Sequence, residues 1–144
     1  MCRWLWMHNG LLRDFAAVER AVGLVEATGG RHGVQHPIQM TVATTDGERL
    51  WAFRYSSEGR SRSLFHSTDV SMLRHQYPDN PVLHNLSDQA RLVVSEPLGD
   101  LKGAWRELPE GTCVIISGGR DELRPFAPRP EPAPGRAGVT ATQT

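Results

Sequence analysis

The part of the sequence that decides the fold reads Ile38-Gln39-Met40-Thr41-Val42-Ala43-Thr44-Thr45-Asp46-Gly47-Glu48-Arg49-Leu50-Trp51-Ala52-Phe53-Arg54-Tyr55. Apolar and polar residues alternate over residues 38–44, which is the pattern of a strand with one buried face. Asp46-Gly47 follows as a two-residue turn signal, and residues 50–55 are rich in aromatic residues, which favour strands. The stretch therefore predicts an antiparallel hairpin over residues 38–55.

A helix is predicted before this hairpin. Its apolar residues recur at alternating steps of four and three, which places them on one helical face: Leu11, Phe15, Val18, Val22 and Val25. Gly29-Gly30 supplies a stop signal, so we predict one helix over residues 12–28. We expect its face with Phe15 and Val22 to cover a hairpin face formed by Met40, Val42 and either Trp51 and Phe53 or their alternate neighbours.

Further elements follow the hairpin. Short runs at residues 63–68, 92–96 and 113–117 predict three more strands, the last of them after the turn Pro109-Glu110-Gly111. Residues 70–77 predict a short helix that ends before Pro78. Several antiparallel strands together with helices indicate an α+β fold with layered sheets.

The chain has 144 residues, which is enough for one domain with a core, and we predict that domain over residues 1–126. From residue 127 on, Pro, Gly, Ala and Thr replace the core-forming residues. Four prolines at alternate positions disfavour regular structure there other than polyproline II: Pro128, Pro130, Pro132 and Pro134. Residues 127–144 are therefore predicted to be a disordered, Pro-rich tail.

The first ten residues carry the chemistry: Met1-Cys2-Arg3-Trp4-Leu5-Trp6-Met7-His8-Asn9-Gly10. Once Met1 is removed, the α-amine of Cys2 can act as the general base for its own thiol. The side-chain amide of Asn9 and the backbone N–H of Gly10 can stabilise the oxyanion that forms when a thiolate attacks an amide. These residue types predict an N-terminal nucleophile hydrolase.

Four segments of the sequence resemble class II (type 2) glutamine amidotransferases, which belong to the N-terminal nucleophile hydrolase superfamily. They are the Met1-Cys2-Arg3-Trp4 start, an apolar strand ending in His8-Asn9-Gly10, residues 55–65 (Tyr-Ser-Ser-Glu-Gly-Arg-Ser-Arg-Ser-Leu-Phe), and residues 91–98 (Arg-Leu-Val-Val-Ser-Glu-Pro-Leu) followed by Trp105. Their order and the hairpin between them match the family, and together they cover most of residues 1–126.

This resemblance implies an αββα sandwich, in which antiparallel sheets lie between helices. It also implies an enzyme that hydrolyses a small-molecule substrate, glutamine or a γ-glutamyl compound, to glutamate and ammonia or an amine. Cys2 would be the nucleophile, Asn9 and Gly10 the oxyanion donors and His8 a substrate-binding residue. The family's reaction needs no metal and no organic cofactor, and the oligomeric state is left open.

Two segments typical of the family have no counterpart here. One carries an Arg that binds the substrate carboxylate, and the other is a Gly-Ser-Thr-Asp-Ser-Glu-like motif whose Asp receives the substrate amine; Thr68-Asp69 is its nearest substitute. If residues 3–8 form one extended strand, the Cα atoms of Cys2 and Asn9 lie about 23 Å apart, too far for one reaction site. The chain thus resembles an internally shortened family member. The alternatives are a non-catalytic remnant or interaction module, or an incomplete gene model.

Composition excludes several other classes of protein. The 16 basic and 16 acidic residues balance, which argues against nucleic-acid and membrane partners. No apolar run reaches about 18 residues and no signal peptide is evident, so a cytoplasmic location is expected. No Gly-rich phosphate-binding motif indicates a nucleotide cofactor. Cys2 and Cys113 are too few for a disulfide framework, and Cys113 is expected to be a small buried residue in a strand.

Two remaining groups of residues suggest weaker sites. His32 and His36 have the spacing of a metal pair on a helix, but Gly33 and Pro37 disfavour a helix there, so no metal site is predicted. Three arginines among serines, at positions 54, 60 and 62, have the chemistry to bind an anion. A solvated loop with a structural role is the simpler interpretation of that segment.

Overall fold

The computed structural model describes residues 15–129. In this part of the chain the helices are α1 (Phe15–Arg31), α2 (Val70–Gln76) and α3 (Pro81–Asn85). The strands are β1 (Gln39–Thr45), β2 (Arg49–Ser56), β3 (Phe65–Ser67), β4 (Val93–Val94), β5 (Trp105–Glu107), β6 (Thr112–Ser117) and β7 (Arg120–Pro125). Helices and antiparallel strands are combined, as the sequence predicted, in an α+β fold.

The strands form two antiparallel sheets. The larger sheet has the order β1-β2-β6-β7, and the smaller has the order β4-β3-β5. Side chains on the two faces of the larger sheet enter different cores, because successive residues of a strand point to opposite sides. On one face, Trp51, Phe53 and Cys113 pack with α1 and Phe126. On the other, Ala52 and Val114 pack with Leu64, Leu108 and Val93, which belong to the smaller sheet and its flanks.

A third core lies around the two short helices. Leu73 of α2 and Leu83 of α3 pack with Ala104, and Leu92 and Trp105 extend this cluster to the smaller sheet. The order of layers is therefore α1, the larger sheet, the smaller sheet, and the pair α2 and α3. None of the helices within residues 15–129 is long and apolar enough to cross a bilayer.

Helix α1 continues past the predicted stop at Gly29-Gly30 and ends at Arg31. A glycine does end the helix, as predicted, but this glycine is Gly33, whose φ is 73°. The N–H of Gly33 donates to the carbonyl of Gly30 (3.2 Å) and the N–H of Val34 to that of Gly29 (2.9 Å), which is the Schellman pattern of helix ends. Gly29 and Gly30 lie within α1 and do not adopt the left-handed conformation that ends it. Residues 12–14 of the predicted helix lie outside the described residues.

The apolar face of α1 is buried only in its first half. Phe15, Val18 and Val22 pack on the larger sheet, whereas Val25, predicted on the same face, is 45% exposed. The hairpin shows a similar difference: Met40, Trp51 and Phe53 enter the core under α1 as expected, but Val42 is 47% exposed. Val42 belongs to an outer strand, and burial decreases there because one flank of the strand has no described neighbour.

The hairpin turn is displaced by one residue from the predicted Asp46-Gly47. The N–H of Asp46 donates to the carbonyl of Arg49 (3.2 Å), so the central turn residues are Gly47, at φ 97°, and Glu48. The Asp46 carboxylate accepts the N–H groups of Glu48 (3.0 Å) and Arg49 (2.8 Å), which secures this turn. The strand register moves by two residues, and each side chain therefore keeps its predicted face.

Three elements were not predicted: α3, β5 and β7. Strand β7 follows β6 through Gly118-Gly119, both at positive φ, which is the two-residue hairpin turn that only such residues form easily. The apolar alternation that identifies a strand is missing from β7, because all its residues are exposed. Helix α3 has a readable start, since Asn80 caps it and Pro81 occupies the first turn. The predicted strands at 63–68, 92–96 and 113–117 and the helix at 70–77 are present, most of them shorter.

Candidate functional site

The residues predicted to carry the chemistry, Cys2, His8, Asn9 and Gly10, all lie outside the described residues. The 23 Å separation expected between Cys2 and Asn9 therefore stays a prediction. What the structure shows is the scaffold after them, and the polar groups that this scaffold gathers. Most of these groups lie around the loop that follows β2, residues 57–64, which we call the serine loop.

Glu110 anchors the serine loop from the turn before β6. Its carboxylate accepts the backbone N–H of Ser56 (2.8 Å) and of Ser61 (2.8 Å), and also the hydroxyl of Ser61. Burial raises the pKa of Glu110, but these hydrogen bonds and the charge of Arg54 outweigh burial and leave the pKa below its ordinary value. Glu110 therefore stays ionised and links the end of β2 to the serine loop.

Arg54 lies beside Glu110 and is also occupied. Its guanidinium donates to Glu107 (2.6 Å), to the carbonyl of Leu108 (2.5 Å) and to the hydroxyl of Ser61 (3.2 Å), and its side chain is 14% exposed. Arg60 instead pairs with Glu58 on the surface. The anion-binding interpretation loses its best-placed cation, because Arg54 already has two carboxylates within 4 Å. The serine loop is therefore part of a structural hydrogen-bond network that connects the ends of β2, β5 and β6.

Helix α1 joins the same region through Glu26. Its carboxylate accepts the hydroxyl of Tyr55 (2.5 Å) and that of Ser57 (2.6 Å). Burial, followed by the hydrogen bond to Glu26, raises the pKa of Tyr55 to about 12. The Tyr55 ring also contacts Phe126 edge to face (5.3 Å between centroids). Polar and apolar contacts thus attach one end of α1 to the end of β2.

Asp69, the nearest substitute for the family's amine-binding carboxylate, has a structural role. It is the N-cap of α2 and accepts the N–H of Ser71 at 2.6 Å. Thr68 donates its hydroxyl to the carbonyl of Gly103 (2.7 Å). The pair Thr68-Asp69 therefore begins a helix and holds the adjacent loop.

His66 is a buried imidazole that sequence reasoning missed. It is 5% exposed in β3, with Asp121, Arg106 and Arg91 as its charged neighbours. Burial lowers the pKa of His66, so the ring is neutral near neutral pH. Nothing local in the sequence identifies Glu26 or Glu110, because the residues that they bind lie 29 to 54 positions away. The charged neighbours of His66 likewise come from other parts of the chain.

The described residues contain no cluster of three or more His, Cys, Asp or Glu side chains suited to a metal ion. His32 and His36 are both exposed, and His36 contacts the carbonyl of Ser57. Cys113 is fully buried in β6, as predicted, and burial raises its pKa to about 12. A thiol of this kind is a packing residue and not a nucleophile.

Two depressions open on the described surface. One is lined by Gln76, Tyr77 and residues 78–81 between α2 and α3. The other, of about 440 Å³, is almost wholly apolar and lies between the second half of α1 and the loop before β1; its lining is Leu24, Val25, Thr28, Gly29, His32, Val34 and Pro37. We call it the α1 groove. Neither depression contains a group of described residues with the chemistry of a nucleophile and its base.

Comparison with solved structures shows what this fold is similar to. The chain is similar to the solved structure of a glutamine aminotransferase class-II domain protein from Silicibacter pomeroyi, with 30% sequence identity and a TM-score of 0.63. The match covers 83% of this chain and 47% of that one, so the chain spans about half of its structural neighbour. No protein-family model and no curated protein matches the sequence. The α+β fold is thus similar to part of that protein's structure.

Proposed function

We propose that the chain is a class II glutamine amidotransferase-like protein that hydrolyses the side-chain amide of glutamine or a γ-glutamyl compound. The observation that carries this proposal is the similarity to the Silicibacter pomeroyi protein, at 30% identity over 83% of the chain. The first ten residues support it independently, since they combine Cys2 with His8-Asn9-Gly10. The order of layers, α1, two antiparallel sheets and the pair α2 and α3, is compatible with the αββα sandwich of that superfamily.

The proposed mechanism uses residues 2–10, and it requires the chain to turn between Arg3 and Met7, because one extended strand over residues 3–8 would hold Cys2 and Asn9 about 23 Å apart. After removal of Met1, the thiol of Cys2 attacks the amide carbon and its proton passes to the Cys2 α-amine. Asn9 and the N–H of Gly10 stabilise the tetrahedral oxyanion, and His8 contacts the substrate. The α-ammonium then protonates the leaving nitrogen, which departs as ammonia or an amine and leaves a thioester. Water attacks the thioester, releases glutamate and restores the thiol.

The second candidate is a non-catalytic remnant or interaction module. Asp69 favours it, because the carboxylate nearest to the family's amine-binding Asp is used to cap α2. Internal shortening of the family domain, or an incomplete gene model, would account for this observation.

A labelling experiment distinguishes the two candidates. The full chain is treated with a glutamine analogue that carries an electrophilic diazoketone, and modified residues are located by mass spectrometry. The chain supplies its own control, because Cys113 is buried with its pKa raised to about 12. If the enzyme proposal holds, Cys2 is modified stoichiometrically and Cys113 is not.

Two variants and a measurement of the intact protein mass test the interpretation of the labelling. Cys2→Ser should abolish labelling, and Asn9→Ala should slow it, because the oxyanion donor is lost. The intact mass should show that Met1 has been removed, since the mechanism needs a free α-amine on Cys2. Retention of Met1, or equal labelling with and without Asn9, would support the non-catalytic candidate.

A further inference from the structure

The two outer strands of the larger sheet differ in how their free edges are protected. β7 carries four charged residues and ends in proline: Arg120, Asp121, Glu122, Arg124 and Pro125. Charges and proline on an edge strand prevent another strand from pairing with it. β1 has the sequence Gln-Met-Thr-Val-Ala-Thr-Thr, with no charge and no proline. Within residues 15–129, its free edge therefore has neither of these features to prevent further strand pairing.

The hydrogen bonds of β1 identify which backbone groups are free. Ser57 donates to the carbonyl of Ile38 (3.0 Å) and Asp46 to that of Arg49 (3.2 Å), so even-numbered residues from 38 to 46 face β2. Alternation along an antiparallel strand turns the N–H and C=O groups of the odd-numbered residues outward. These are Gln39, Thr41, Ala43 and Thr45. Among residues 15–129, no strand pairs with this row.

An apolar surface lies beside the start of the same strand. The α1 groove exposes Leu24 (56%), Val25 (45%) and Val34 (51%). Val34 and Pro37 are five and two residues before Gln39, so this surface lies within about 18 Å of the end of β1. The groove therefore lies near the start of β1, and a partner that pairs with the edge and extends past Gln39 would contact it.

We propose that a second copy of this chain pairs with β1 in an antiparallel, two-fold arrangement centred on Val42. In this register Thr41 pairs with Ala43 of the second copy, and Gln39 pairs with Thr45, so every outward N–H and C=O on the row meets a partner. Val42, now 47% exposed, lies opposite its own equivalent in a non-hydrogen-bonded pair, where side chains approach most closely. The two four-stranded sheets become one continuous sheet of two copies.

Self-complementarity is the reason for choosing a second copy as the partner. A two-fold axis places each residue opposite a residue of the same strand, and an uncharged strand contains no pair of like charges to oppose this. The groove adds apolar area that a strand edge alone lacks, and homodimer interfaces are more apolar than transient ones. An unrelated extended peptide would pair with the edge equally well, but it has no reason to match the groove.

The test is a charge exchange on the two-fold axis, read as molar mass by light scattering. The unaltered full chain should dimerise with rising concentration. Val42→Lys and Val42→Glu should each give monomers, because like charges then face each other. An equimolar mixture of the two variants should recover the dimer. Leu123→Lys is the control, because Leu123 is a half-exposed leucine (52%) on the protected edge β7 and should leave the dimer intact.

Several outcomes would overturn the proposal. A chain that stays monomeric at high concentration has no such interface, and a dimer that survives both Val42 substitutions uses another surface. Failure of the mixture to recover the dimer would refute the two-fold register. Thermal unfolding of each variant confirms that the fold is retained, as expected for a half-exposed position.

Amide exchange of the unaltered chain tests the same proposal without a substitution. The amides of Thr41 and Ala43 should become protected as concentration rises, while those of Val42 and Thr44, which face β2, should not change. Protection of Thr41 and Ala43 in a dilute monomer would show that another segment of the same chain covers the edge. That result would also overturn the proposal.

Discussion

At the scale of single residues, Glu110 positions the backbone around the serine loop. It receives one hydrogen bond from Ser56 at the end of β2 and two from Ser61 in the serine loop, and Arg54 lies 3.9 Å from it. Glu107 also contacts Arg54, but it is a half-exposed surface carboxylate. The two acidic residues therefore allow the hydrogen bonds of the partly buried Glu110 to be compared with the ion pair of the half-exposed Glu107.

Glu110→Ala should lower the free energy of unfolding by about 2–4 kcal/mol, because the buried Ser56 N–H and the partly buried Ser61 N–H both lose their acceptor, at about 1–3 kcal/mol each. Glu107→Ala should cost less, about 1 kcal/mol, because Glu107 is half exposed and Arg54 keeps Leu108, Ser61 and Glu110 as partners. Urea unfolding measures both. Equal losses would mean that Glu110 does not hold the serine loop.

His66 makes stability depend on pH. Its pKa is lowered by burial in the folded state, so between its folded pKa and the ordinary value of 6.5 the unfolded chain binds a proton that the folded chain does not. This contribution to stability is complete above pH 6.5 and is lost as pH falls, by at most about 1.4 kcal/mol per pH unit. Urea unfolding at pH 7.5 and 5.5 should show a smaller difference for His66→Gln than for the unaltered chain. An unchanged difference would assign the effect to other groups.

At the scale of elements, the end of α1 shows how position decides the value of a glycine. Gly30 is helical with open space around it, whereas Gly33 has a φ of 73°. Gly29 is also helical, but a Cβ there would lie 2.9 Å from a side-chain carbon of Pro37. These three glycines, which lie within five residues, should therefore differ in how well they tolerate a side chain.

Substitution by alanine should separate the three glycines. Gly30→Ala should stabilise the fold by about 0.5–1 kcal/mol, since alanine favours a helix. Gly33→Ala should destabilise it by about 1 kcal/mol, because alanine is strained in the left-handed region. Gly29→Ala should be less favourable than Gly30→Ala, because the loop with Pro37 must move. Thermal midpoints rank the variants, and a stabilising Gly33→Ala would contradict the Schellman end.

At the scale of the whole molecule, the proposed enzyme has a scaffold, but the nearest substitute for its amine-binding Asp has another role, since Asp69 caps α2. We therefore expect glutamine hydrolysis by this chain to be weak or undetectable, even where Cys2 can be labelled, because loss of a charged partner costs several kcal/mol of binding. Release of ammonia measured against Cys2→Ser tests this. Robust turnover would show that other residues bind the substrate.

Elements that rest on patterns among neighbouring residues could be predicted from the sequence. Alternation of apolar residues defined the hairpin of β1 and β2, and helical spacing defined the buried half of α1. The α+β class followed, and so did the burial of Cys113 in a strand. The candidate site residues at positions 2, 8, 9 and 10 came from the sequence alone, because they lie outside the described residues.

Features that depend on contacts between distant residues could be recognised only in the folded structure. Strand β7 has no apolar face, so its existence rests on pairing with β6. The roles of Glu26, Glu110 and His66 depend on partners dozens of residues away or in another sheet, which no local pattern reveals. Exposure of Val25 and Val42 follows in the same way, because a side chain of correct spacing is buried only where another element covers it.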